Sequence, residues 1–135
     1  MNHTVHFLIP GDLEARTGGT LYDPRIMTGL VALGWRVELH SLSARFPLPD
    51  ATALHAADTV LAALPEQALT VIDGLALGAM PTVVAAHRDR LRLIALVHHP
   101  LALETGLAET VRQQLYLSER EALRYVCQVI VTSSS

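Results

Sequence analysis

Two short runs of this 135-residue chain carry the residue types from which a ligand site is built: Thr17-Gly18-Gly19 and His98-His99-Pro100-Leu101. The first offers small residues and backbone N–H groups open to an anion, and the second offers imidazoles beside a stiff proline. If each run follows a strand of one parallel sheet, both lie where α/β sheets bind ligands, at the strand carboxyl ends beside the point where the winding reverses. Asp73-Gly74 could bring a carboxylate to the same crevice, although Asp-Gly is equally the ordinary way to leave a strand. Tyr22 and Arg25 could reach an anionic group, and read as readily as a packed tyrosine and a solvated arginine. His98 and His99 with Glu104 do not read as a metal site, because adjacent residues of an extended segment point to opposite sides. The remaining histidines, His3, His6, His40, His55 and His87, show no spacing that suggests a shared site and are assigned to surface or core.

Several phosphate and nucleophile chemistries are excluded by missing residues. Every basic residue is arginine, so the lysine that reaches the outer phosphates in a P-loop is absent. Gly11 and Gly18-Gly19 do not have the spacing of a dinucleotide fingerprint, and no G-x-S-x-G elbow occurs. A phosphorelay receiver would place an aspartate where Asp73 stands, but it would also need an acidic pair after the first strand and a lysine after the fifth. Here those places hold Pro10-Gly11-Asp12 and Thr132-Ser133.

The elements that must position these residues follow from hydrophobic periodicity. Val5–Ile9 is a short buried-strand run closed by Pro10-Gly11. Asp23-Pro24 reads as an N-cap and first helical residue, Ile26, Met27, Leu30, Val31 and Leu33 share one helical side, and Gly34 stops the helix. Trp35–Leu42 is a second strand, Asp50 caps a second helix that Pro65 ends, and Leu69–Asp73 is a third strand. A helical stretch broken near Pro81 leads to a fourth strand, Arg92–Val97. From about Glu104 a long helical region carries Leu107, Val111, Leu115, Ala122 and Tyr125 on one face, and the capping-box spacing of Ser118-Glu119-Arg120-Glu121 predicts a break near Ser118. Gln128–Thr132 is the fifth strand. Short strands alternating with helices require parallel crossovers, so the expectation is an α/β, Rossmann-like three-layer parallel sheet in strand order 3-2-1-4-5.

Composition narrows the classes. A chain of this length holds one domain, taken as 1–135, and no apolar run approaches the roughly 20 residues a membrane helix needs. The start, Met1-Asn2-His3-Thr4, has no basic region ahead of an apolar run, so no secretory signal is read and a cytoplasmic protein is expected. Cys127 is the single cysteine, which excludes an internal disulfide and a thiolate cluster. A net charge of −3 argues against a nucleic-acid partner. Thr132-Ser133-Ser134-Ser135 falls where another loop and helix cap would begin, so the chain is expected to be a fragment or truncated product, with an uncovered strand-five edge that invites a homodimer.

The run Thr17-Gly18-Gly19-Thr20-Leu21-Tyr22-Asp23-Pro24-Arg25, followed by Leu30-Val31-Ala32-Leu33-Gly34-Trp35-Arg36-Val37, resembles the opening of family-four (group 1) GT-B glycosyltransferases. The likeness continues through Val97-His98-His99-Pro100-Leu101-Ala102-Leu103-Glu104. It ends with Ser118-Glu119-Arg120-Glu121-Ala122-Leu123 leading into Val129-Ile130-Val131-Thr132-Ser133. The resemblance implies the N-terminal, acceptor-side half of a two-domain retaining enzyme that transfers sugar from a nucleotide-diphosphate donor, without a metal or other cofactor. It implies that Gly18 and Gly19 approach the donor phosphates and that a histidine after strand four, His98 in preference to His99, lies near the transferred sugar as the catalytic residue. Asp73, His99, Glu104, Tyr22 and Arg25 complete the candidate substrate-binding set. The partners implied are a nucleotide sugar, an acceptor and the C-terminal donor domain, which is not in the sequence and without which the fragment is expected to be inactive. The alternative is a small Rossmann-like nucleotide-binding or regulatory module that performs no chemistry.

Overall fold

Short β-branched and leucine-rich runs separated by alanine-rich helical segments build an α/β chain, of which the computed structural model describes residues 3–11, 29–43, 45–46, 48–97 and 106–131. The strands are β1 (His3–Pro10), β2 (Trp35–Leu42), β3 (Leu69–Asp73), β4 (Arg92–Val97) and β5 (Gln128–Val131). They form one five-stranded sheet in which every neighbouring pair is parallel. The connecting helices are α1 (Ala51–Ala63), α2 (Gly74–Leu77), α3 (Pro81–His87) and α4 (Glu109–Leu123). Residues 29–32 are helical ahead of β2.

Local signals account for most of these bounds. Gly34 takes φ of +91° and its N–H donates to the Val31 carbonyl at 3.0 Å, a helix stop that a residue with a Cβ adopts only under strain. Asp50 caps α1, its Oδ1 accepting from the Ala53 N–H at 2.8 Å. Pro81 occupies the first turn of α3, where its missing N–H costs nothing. The break expected near Ser118 is not found. α4 runs unbroken from Glu109 to Leu123, and the Ser118 hydroxyl donates to the Gly78 carbonyl at 2.6 Å instead of capping a new helix. A serine whose hydroxyl has a tertiary acceptor has no reason to interrupt the backbone ladder.

The expected strand order 3-2-1-4-5 is corrected to 2-1-3-4-5. The physical reason lies in which strand tolerates an edge. β2 carries Arg36, Glu38, His40 and Ser41 and is mostly half-buried, whereas four of the five residues of β3 are buried, including Thr70. A strand buried on both faces belongs inside a parallel sheet, and a strand with alternating charged residues belongs at its border. β3 therefore pairs with both β1 and β4.

The winding puts α1 to α4 on one face of the sheet. Ala53, Ala57, Leu61, Leu77, Val84 and Ala122 from these helices pack with Leu8, Ile72, Leu93 and Ala95 from the strands. Full burial of a side chain such as Leu61 contributes about 1.5–3 kcal/mol. The other face gathers Val5, Phe7, Ile9, Val71, Ile94 and Leu96, with Leu30 and Trp35 packed against them. No helix among the described residues is long and apolar enough to cross a membrane.

Candidate functional site

Because all strands are parallel, their carboxyl ends share one border of the sheet. In the order 2-1-3-4-5 the winding reverses between β1 and β3, so the switch point is flanked by Pro10-Gly11 and Asp73-Gly74. β1 and β4, expected to be neighbours, are separated by β3, which puts their ends two strand spacings apart, about 10 Å. Asp73 is thereby centred in the row.

Asp73 is fully buried, and its Oδ1 accepts from the Leu75 N–H at 2.9 Å, capping α2. Gly74 follows with little room to spare: a Cβ there would lie 3.2 Å from the Leu96 carbonyl oxygen and 3.4 Å from the Val97 Cα. The Asp-Gly pair thus lets β3 turn into α2 hard against the end of β4. Gly11 is tied to β2 by its N–H on the Leu42 carbonyl at 2.9 Å and by the Ser41 hydroxyl on its own carbonyl at 2.6 Å. Gly18, Gly19, Tyr22, Arg25, His98, His99 and Glu104 lie outside the described residues.

A second constellation forms on the helix-bearing face, at residues whose spacing had suggested no shared site. In the parallel register of β1 and β2, His6 stands opposite Glu38 and Leu8 opposite His40, so His6, Glu38 and His40 share one face. His6 Nδ1 lies 3.0 Å from His40 Nε2 and 3.2 Å from Glu38 Oε2, and the two imidazoles stack with centroids 5.3 Å apart. The other carboxylate oxygen of Glu38 faces Arg36 Nε at 3.3 Å. His6 is buried, and Glu38 and His40 are half-buried. Burial, then the neighbouring His6, lower the pKa of His40 against the opposing pull of Glu38, which favours its neutral ring.

Above the trio is a cavity of about 430 Å³, closed on its far side by Thr59, Val60 and Ala63 of α1 and by Leu64 and Pro65 beyond it. The signal in the sequence is Glu38-Leu39-His40, two residues of metal-ligand type at the i, i+2 spacing of one strand face. It is legible only once the β1–β2 register supplies the third. The other described histidines sit as expected: His3 and His55 are exposed, and buried His87 meets Asp58 Oδ1 at 2.7 Å, tying α3 to α1.

Neither a protein-family model, nor a curated protein, nor a solved structure matches the chain.

Proposed function

We propose that the chain is the acceptor-side, Rossmann-like N-terminal domain of a retaining GT-B glycosyltransferase, acting in the cytoplasm on a nucleotide-diphosphate sugar once a donor domain completes the cleft. The observation that carries the reading is the common border of strand ends. β1, β3 and β4 finish there side by side, and the glycine pair and the histidine pair that resemble the family's motifs follow β1 and β4 in the chain. Asp73, at the end of β3 between β1 and β4 and the cap of α2, would shape the floor of this border.

The chemistry asked of such a border is modest. Glycosyl transfer builds negative charge on the departing diphosphate, and backbone N–H groups at Gly18 and Gly19 would stabilise it without a charged side chain. His98, immediately after β4, would meet the transferred sugar, with His99, Glu104, Tyr22 and Arg25 contributing to substrate binding.

Amide NMR titration of the chain with nucleoside diphosphates tests this. The expected result is shifts at Gly18, Gly19 and His98 with Kd weaker than about 1 mM, since half of the cleft is missing, and their loss in Gly18→Val. Micromolar binding by the chain alone would overturn the acceptor-side reading in favour of a self-sufficient nucleotide-binding module. Shifts confined to other residues would overturn the site.

A further inference from the structure

We propose that His6, Glu38 and His40 form a binding site for a divalent transition-metal ion of the zinc class, away from the strand-end border and independent of the glycosyltransferase reading. Two neutral imidazoles and one carboxylate are a donor set suited to zinc, and three protein ligands leave a fourth position for water.

The geometry is already close to what an ion would impose. A tetrahedral ion with bonds of about 2.0–2.1 Å holds its ligand atoms roughly 3.3 Å apart. His6 Nδ1 is 3.0 Å from His40 Nε2 and 3.2 Å from Glu38 Oε2, and all three donor atoms lie within 4.8 Å of one another. An ion bound at His6 Nδ1 requires the tautomer whose proton sits on Nε2, so the neutral ring keeps its one proton and offers the Nδ1 lone pair.

The ligands are held by the fold. His6 and Glu38 are paired residues of adjacent strands, and His40 follows Glu38 on the same face, so the spacing is set by the β1–β2 ladder. Arg36 fixes Glu38 Oε1 and leaves Oε2 toward His6. An orienting partner on a ligating carboxylate is a recurrent feature of metal sites. The cavity of about 430 Å³ between β2 and α1 gives the fourth position access to water or a small anionic ligand, with Thr59 as the polar residue that α1 contributes to its lining.

Calorimetric titration of the whole chain with zinc chloride, after removal of metals with a chelator, tests the site. The expected result is one equivalent bound with Kd of about 10 μM or tighter, and cobalt substitution giving the visible absorption of a four-coordinate ion. His40→Ala should weaken binding about 100-fold or more, and Glu38→Gln about 10-fold or more, while His3→Ala, His55→Ala and Cys127→Ser leave it unchanged. Circular dichroism identifies any variant that fails to fold, and His40→Gln then replaces His40→Ala. Absence of saturable binding up to about 1 mM zinc would overturn the proposal, as would binding that survives in the folded His40 and Glu38 variants.

Discussion

Tyr125 shows how one contact at the end of a helix sets a residue's chemistry. Its hydroxyl donates to Glu121, four residues back in α4, and Arg88 lies over its ring with the guanidinium carbon 5.3 Å from the centroid. The hydrogen bond to the carboxylate holds the phenolic proton, so the pKa stands above the ordinary value of about 10, with burial and the Glu121 charge adding and Arg124 and Arg88 opposing. A phenol raised in the folded state contributes stability that is complete below its unfolded pKa and is lost as pH rises through the folded one. Ultraviolet titration of phenolate should therefore show one tyrosine ionising late. Glu121→Gln should move that tyrosine back toward the ordinary value; unchanged titration in the variant would remove Glu121 as the cause.

At the scale of the element, α1 is secured at both ends by side chains far apart in sequence. Asp50 caps its start, and Arg90, from the turn before β4, donates to the Leu64 carbonyl at 2.6 Å and to the Leu61 carbonyl at 2.5 Å at its finish. The Leu61 carbonyl otherwise meets only the Leu64 N–H, at 3.2 Å, and a guanidinium at this helix end also complements the helix dipole. Asp50→Ala is expected to cost about 1 kcal/mol. Arg90→Met should cost about 1.5–3 kcal/mol, because charged hydrogen bonds at a half-buried position are lost while the stem is kept. Urea denaturation should show both as a lower midpoint with an unchanged slope, and a smaller loss in Arg90→Met than in Asp50→Ala would show that Arg90 only decorates the helix end. The Asp50 cap was legible from its place before a periodic run. The Arg90 clip was not, since it depends on the end of α1 and the turn before β4 meeting on one face of the sheet.

For the whole molecule, the two borders of the sheet differ in how they meet solvent. β2 presents charge, which discourages pairing, while β5 exposes Val129, Ile130 and Val131, the last 71% accessible. The chain is expected to self-associate through β5, most simply as a two-fold dimer. Sedimentation across a concentration series should reveal the dimer, and Val129→Lys should shift it to monomer. A wild-type monomer persisting at high micromolar concentration would eliminate this mode.

Local chemistry along the chain set most of the elements, the unbroken passage of α4 through Ser118 excepted. β2, β3 and β4 begin and end at the residues their apolar runs predict, and Gly34 and Asp50 act where their chemistry placed them, because caps, stops and periodicity are local properties. The resemblance of the glycine and histidine runs to a glycosyltransferase opening is likewise a property of the sequence. The order of the strands came only with packing, since the alternating charge of β2 permits a border position without saying which strand lies on the far side of β1. Relative burial settles it, and burial is a collective outcome. The same insertion centred Asp73 at the switch point and separated the ends of β1 and β4. The parallel register of β1 on β2 brought together His6 and His40, 34 residues apart, with Glu38 beside His6. Spacing along a chain reports a face of one strand, whereas a site shared by two strands exists only once their pairing is fixed.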